Sequence, residues 1–190
     1  MSELYFITHP QVVVDPAVPV PQWPLSAVGL ARMTALLRQP WVPGIMRLFA
    51  SPERKALDGA GVLGRHLHLS VAQVADLAEI DRSTTGYLPH AEHELVTDEF
   101  FASPGESVRG WERAVDAQRR IVAAVAGLAA GAGDMAVVSH GAVGALLLGH
   151  LTSSEITRDH DQPGAGGGNY FAVRDGALLH GWRPIDGLPL

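Results

Sequence analysis

The sequence predicts an α/β domain built as a three-layer αβα sandwich, with a mainly parallel mixed sheet. Three observations predict it. Short apolar runs rich in β-formers alternate with helical segments, the order expected of parallel strands joined by covering helices. Two of these runs, residues 4–8 and 135–139, each end on a histidine. Near the C-terminus two further runs flank Asp175-Gly176, a two-residue hairpin signal that adds antiparallel strands. The chain has 190 residues, 47% of them hydrophobic and 18% charged. That composition supports one sizeable core. No internal repeat or second domain is evident, so residues 1–190 read as a single domain.

Each element follows from local signals. Residues 4–8 form a buried first strand. Residues 10–25 carry Pro10, Pro16, Pro19, Pro21 and Pro24, an extended stiff loop of a length that is often functional. Ser26 caps a helix to about Gln39, with Val28, Ala31, Leu36 and Leu37 facing inward. Pro40 and Pro43 stop it. Residues 45–50 are a second strand. Ser51-Pro52 reads as an N-cap followed by proline at the first helical position, opening a helix to about His66. Residues 71–77 suit a third strand, and 79–93 look irregular. Residues 107–130 form a long helix, with Trp111, Val115, Val122, Val125 and Ala129 at near-helical spacing. Gly131 and Gly133 end it. A strand at 135–139, a helix to about Leu151, a glycine-rich loop at 163–168 and hairpin strands at 170–174 and 178–182 complete the chain.

Composition excludes several classes. The formal net charge is -6, and no basic run is present, which argues against nucleic acid. There is no cysteine, so disulfide and thiolate chemistry are excluded. No leader pattern opens the chain, and no apolar stretch is long enough to span a bilayer. A cytoplasmic protein without membrane association is expected. Nine histidines invite a metal reading. However, His66/His68 and His90/His93 do not make the H-E-x-x-H pattern, and no thiolate is available. No metal is therefore expected. The run Gly164–Gly168 is not followed by Lys-Ser/Thr, so it is not a P-loop. It reads as a flexible loop near the mouth of a site. Trp23, Trp41, Phe100 and Phe101 suit either a pocket lining or packing.

The chemistry centres on His9 and His140. Each follows an apolar strand, and ligands of open α/β sheets bind beyond the carboxyl ends of strands. One neutral imidazole can attack phosphorus while a second stabilises an oxyanion. The competing reading is a pair of structural histidines bonded to backbone. Arg54 lies in the first turn of a helix, where a cation is unfavourable unless an anion binds there or the side chain turns to solvent.

The motifs, taken in order, resemble those of the histidine phosphatase (phosphoglycerate mutase-like) superfamily. Ile7-Thr8-His9-Pro10 resembles its strand-end Arg-His-Gly signature. Pro24-Leu25-Ser26 with Gly29 is similar to "PLTxxG". Residues 50–56 resemble "SSPxxRAxxTA", and Leu77-Ala78-Glu79-Ile80 resembles "LxEixxG". Pro104-Gly105-Glu106-Ser107 resembles "PGGES", and residues 137–141 match "VVSHG". The resemblance spans residues 4 to about 150. It implies a phosphoglycerate mutase-like fold, no metal or organic cofactor, and hydrolysis of a small phosphorylated compound through a phosphohistidine on His9. It further implies Arg54 and His140 as clamps on the phosphoryl oxygens, Glu79 as general acid, and substrate contacts from Thr8 and Gly141. Glu92, Glu94 and Asp98 are rivals for the acid role. Mutase activity fits less well, because the chain is short for the substrate-binding insertion of that class. The oligomeric state is left open, a homodimer included.

Two departures matter. Thr8 stands where the family has arginine, and Pro10 where it has glycine. A hydrogen bond to a charged group contributes about 1.5–3 kcal/mol, so losing one weakens transition-state binding by about tenfold to a hundredfold. Arg82, Arg158 and Arg174 are candidates to replace the arginine. The alternatives are a less charged substrate, or a weak or inactive phospholigand-binding or regulatory protein on the same scaffold.

Overall fold

The computed structural model describes residues 2–187, and its sheet has six strands in the order β3-β2-β4-β1-β5-β6. Strands β1 (Glu3–Thr8), β2 (Arg47–Ala50), β3 (Val71–Gln73) and β4 (Met135–Ser139) run parallel to one another. Strands β5 (Asn169–Arg174) and β6 (Ala177–Pro184) run antiparallel on the β1 side. The hairpin turn holds Asp175 at φ 50° and Gly176 at φ 80°, the paired positive values expected of Asp-Gly.

Alternation along the central strands divides the core between two faces. Leu4, Phe6, Met135 and Val137 face α3 (His90–Ala102), α4 (Ala114–Ala129) and α5 (Gly141–Leu151). Tyr5, Ile7, Ala136 and Val138 face α1 (Ala27–Leu36) and α2 (Arg54–Leu67). The predicted α/β three-layer architecture is the observed one. Among the described residues no helix is long and apolar enough to cross a membrane.

Several expected boundaries shift, each for a physical reason. Ser26 caps α1 as expected, accepting the Gly29 N–H at 3.0 Å. Within that helix Val28 and Ala31 lie outside, and Met33 and Leu36 are buried. Ser51 is not the cap of α2. That helix begins at Arg54 with Glu53 in the cap position. Strand β3 stops at Gln73, because a 3₁₀ turn at Ala75–Leu77 follows. Helix α3 was not expected. It buries Val96, Phe100 and Phe101, but charged and polar residues interrupt its apolar pattern. Helix α4 starts at Ala114, since Arg109 (φ 49°) and Gly110 (φ 81°) are left-handed and break the preceding segment. Its buried stripe is Ala114, Ala117, Ile121 and Val125, while Ala129 is exposed. Trp111 is buried from the loop before the helix, with its indole donating to Thr85 Oγ1 at 2.9 Å.

Candidate functional site

Strand register brings the two histidines together. Thr8 pairs with Ser139 across β1 and β4, so His9 and His140 leave the sheet at the same level. The His9 N–H donates to the Ser139 carbonyl at 3.0 Å, and the imidazole centroids lie 5.2 Å apart at 70°. His9 Nδ1 lies 2.9 Å from the Pro10 carbonyl. A carbonyl can only accept, so Nδ1 carries the proton and Nε2 keeps its lone pair.

Strand β2 supplies the next neighbour. Ser51 follows Ala50, and its Oγ lies 2.7 Å from His140 Nε2. That oxygen already accepts the Glu53 N–H at 3.2 Å, and with a second lone pair and its own O–H it can either accept from the imidazole or donate to it. The other nitrogen of the His140 ring is Nδ1. This Nδ1 is buried without a hydrogen-bond partner among the described residues. A buried polar atom of this kind is costly without a partner, and a ligand in the site can supply one.

The structure places Arg54 on the protein surface. Its side chain is 61% exposed and binds Asp58 at 2.7 Å, an i,i+4 pair on the outer face of α2. The next residue, Lys55, is the one turned inward. Its Nζ binds Glu53 Oε2 at 2.5 Å and the Val20 carbonyl at 3.0 Å, and the residue is 3% exposed. The signal was in the motif spacing. Counted from Pro52, "SSPxxRA" places its cation at 55, directly before Ala56. Glu53 is buried as well. Its Oε1 accepts the Glu79 N–H at 3.0 Å and lies 3.4 Å from His140 Nε2. No signal in the sequence pointed to Glu53.

Glu79 sits beneath the start of α5. Its carboxylate accepts the Ala142 and Val143 N–H groups at 3.2 and 3.1 Å, a favourable place for an anion. The rival acids are engaged elsewhere on α3. Glu94 and Asp98 bind Arg158, and Glu92 binds Arg109. Thr8 does not offer its hydroxyl to a ligand. That hydroxyl donates to Gln162 Oε1 at 2.6 Å and accepts the Asn169 N–H at 3.0 Å, and the residue is fully buried. Gly141 opens α5, and a Cβ there would meet Gln162 Nε2 at 2.4 Å.

Of the three candidate replacement arginines, Arg158 is held by Glu94, Asp98 and Asp161. Arg174 pairs with Glu3 at the opposite end of β1. Arg82 alone of the three borders the site. It contacts His93, and it lines a cavity of about 460 Å³ with Pro19, Val20, Pro52, Glu53 and Glu79. The glycine-rich loop is not a free flap. Gly168 N–H donates to the His9 carbonyl at 3.1 Å, and a Cβ on Gly167 (φ 69°) would meet that carbonyl at 2.3 Å. Arg32 fastens the same loop through the Gly167 and Gly168 carbonyls. Trp23 anchors the Pro-rich loop, its indole donating to the Asp15 and Val18 carbonyls. Trp41 stacks on Tyr5, and Phe100 and Phe101 belong to the core. Among the described residues no group of three or more metal-ligating side chains occurs.

Burial sets the protonation of the cluster. Desolvation pulls His9 down to about 4, against the opposing pull of its bond to Pro10. Desolvation also holds His140 well below the ordinary histidine range, and His9 and Lys55 add to that. Desolvation raises Glu79, with Arg82 opposing. Both imidazoles are therefore neutral at pH 7. A histidine depressed in the fold stabilises above its unfolded pKa of 6.5, and that contribution is lost as pH falls towards 4. Glu79 acts in the opposite sense, and His93 and His180 act with the pair. The melting temperature is expected to fall as pH drops from 7 to 4.5. A His9→Asn/His140→Asn variant should show a shallower slope in thermal scans over the same range. A flat wild-type curve would contradict the burial.

A family model described as the histidine phosphatase superfamily (branch 1) matches residues 16–164. Solved structures share the fold. A mycobacterial glucosyl-3-phosphoglycerate phosphatase with inorganic phosphate is 20% identical at a TM-score of 0.78, covering 99% of this chain and 100% of its own. YhfR of Bacillus stearothermophilus is 20% identical at 0.76, covering 95% of each chain. A phosphoserine phosphatase of Entamoeba histolytica with 3-phosphoglyceric acid is 16% identical at 0.75, covering 96% and 98%. No curated protein matches the sequence.

Proposed function

The chain belongs to the histidine phosphatase superfamily, and from that premise we propose that it hydrolyses a small phosphorylated compound through a phosphohistidine on His9. The observation that carries this reading is the orphan Nδ1 of His140 beside a histidine whose Nε2 lone pair is free. In the proposed reaction His9 Nε2 attacks phosphorus and the P–O bond to the leaving group breaks. Glu79, whose pKa burial raises, gives its proton to the departing oxygen. Water then loses a proton to Glu79 and attacks phosphorus. The P–N bond breaks, releasing inorganic phosphate and the neutral imidazole.

His140, Lys55 and Arg82 are assigned to the charge on the transferring oxygens, in place of the expected Arg54 and Thr8. The names of the similar structures, phosphatases of small phosphorylated metabolites, support the substrate class. The test is to quench the protein during turnover of 4-nitrophenyl phosphate and digest it for mass spectrometry. A phosphoryl group on the His9 peptide, labile in acid and stable in base, is expected. Turnover without that adduct would count against the mechanism.

A second reading rests on Thr8, whose hydroxyl is wholly engaged by Gln162 and Asn169 and leaves the site one cation short. On this reading the protein binds phosphorylated ligands with little or no turnover. Phosphate binding without hydrolysis of a panel of esters would favour it.

A further inference from the structure

The charges around His9 and His140 do not balance a phosphate dianion. Two cations border the site, Lys55 and Arg82. Lys55 is already neutralised, bound at 2.5 Å by Glu53 in a pair that is almost wholly buried. Glu53 cannot swing to solvent. Its second oxygen is held by the Glu79 N–H and lies 3.4 Å from His140 Nε2, beside the place where phosphoryl oxygens would sit. Arg82 has no carboxylate within 4.0 Å among the described residues, and its contact is His93. The two imidazoles add no charge at neutral pH. With Glu79 protonated as the proposed acid and the exposed Asp81 screened by solvent, a dianionic phosphate would bring the local sum to three negative charges against two positive. A singly charged phosphoryl group brings it to two against two. In a dry site such an imbalance is poorly screened.

We propose that Glu53 is a specificity-determining residue that selects a phosphoryl group carrying one negative charge, a phosphodiester or a monoester monoanion, over a phosphate dianion. The proposal rests on the phosphatase reading only in taking a phosphoryl group as the ligand.

The test is calorimetry on His9→Ala, which reads binding without turnover. At pH 8, phenyl phosphate is a dianion, since the second pKa of such an ester is about 6. Its methyl ester, phenyl methyl phosphate, carries one charge. The methyl ester is expected to bind about tenfold tighter. Adding Glu53→Gln should raise the affinity for the dianion about tenfold and remove the preference. At pH 5 the monoester becomes singly charged, and its affinity should rise to within a few-fold of the diester's. Equal or tighter binding of the dianion at pH 8 would overturn the proposal. So would a preference that survives Glu53→Gln, or a pH 5 affinity that does not rise. If Glu53→Gln does not fold, the two-ligand comparison in His9→Ala decides alone. Wild type that forms phospho-His9 yet shows tighter dianion binding would overturn the charge selection and keep the phosphatase. A monoanion preference with no turnover of either ester would do the reverse.

Discussion

His9→Ala is expected to lower kcat for 4-nitrophenyl phosphate by about 10⁴-fold, while the protein keeps its fold. Removing a nucleophile that acts as one unit with its partners eliminates nearly the whole chemical acceleration, leaving only binding and electrostatics. The fold should survive because His9 lies after the last residue of β1, and its strand-end hydrogen bonds are made by backbone atoms. Its N–H binds Ser139 and its carbonyl accepts from Gly168. Steady-state kinetics beside circular dichroism checks both halves. Equal rates for variant and wild type at equal purity would exclude phospho-His9.

Lys55→Met carries the largest expected cost in stability. It leaves Glu53 charged, buried and without its cation, and breaking a buried pair on one side costs about 3–5 kcal/mol. For a domain of this size that corresponds to a fall in Tm of about 6–20 °C. The double variant Glu53→Gln/Lys55→Met should recover most of the loss, because no unpaired charge is left behind. Thermal unfolding of the two variants and wild type measures the difference. A single variant as stable as wild type would mean that the pair is solvated rather than buried.

The sequence disclosed the fold where pattern and turn chemistry agree. The two apolar runs ending on histidine are central parallel neighbours, and Asp175-Gly176 is a hairpin turn with both residues at positive φ. Helix α3 escaped because its burial comes from tertiary packing of Phe100 and Phe101, with no sustained period along the segment. At the site, the meeting of His9 with His140 was legible because both close strands in register. The sequence placed a cation at 54, whereas the cation turned inward is at 55. A helix turns about 100° per residue, so adjacent side chains face different surroundings. Arg54 and Lys55 thus look alike as charge, while one points to Asp58 and the other into the cluster. Glu53, Ser51 and Gln162 were illegible for a different reason. Ser51 reaches His140, Gln162 reaches Thr8, and Glu53 meets Glu79 and His140 besides its neighbour Lys55; a lone polar residue does not announce such distant partners.

The position of β1 in the sheet has a consequence for how the protein is made. Both of its hydrogen-bonded neighbours, β4 and β5, lie beyond residue 134. The first strand to leave the ribosome is therefore among the last to find its place. Its unpaired edges stay exposed until most of the chain has been synthesised, the period in which such a segment is open to wrong pairing. The two pairings that finish it, Leu4 with Met135 and Leu4 with Val173, join segments far apart in sequence, a topology that slows folding. A chain truncated before Asn169 would leave His9 at the end of an edge strand, with the hydroxyl of Thr8 deprived of Asn169.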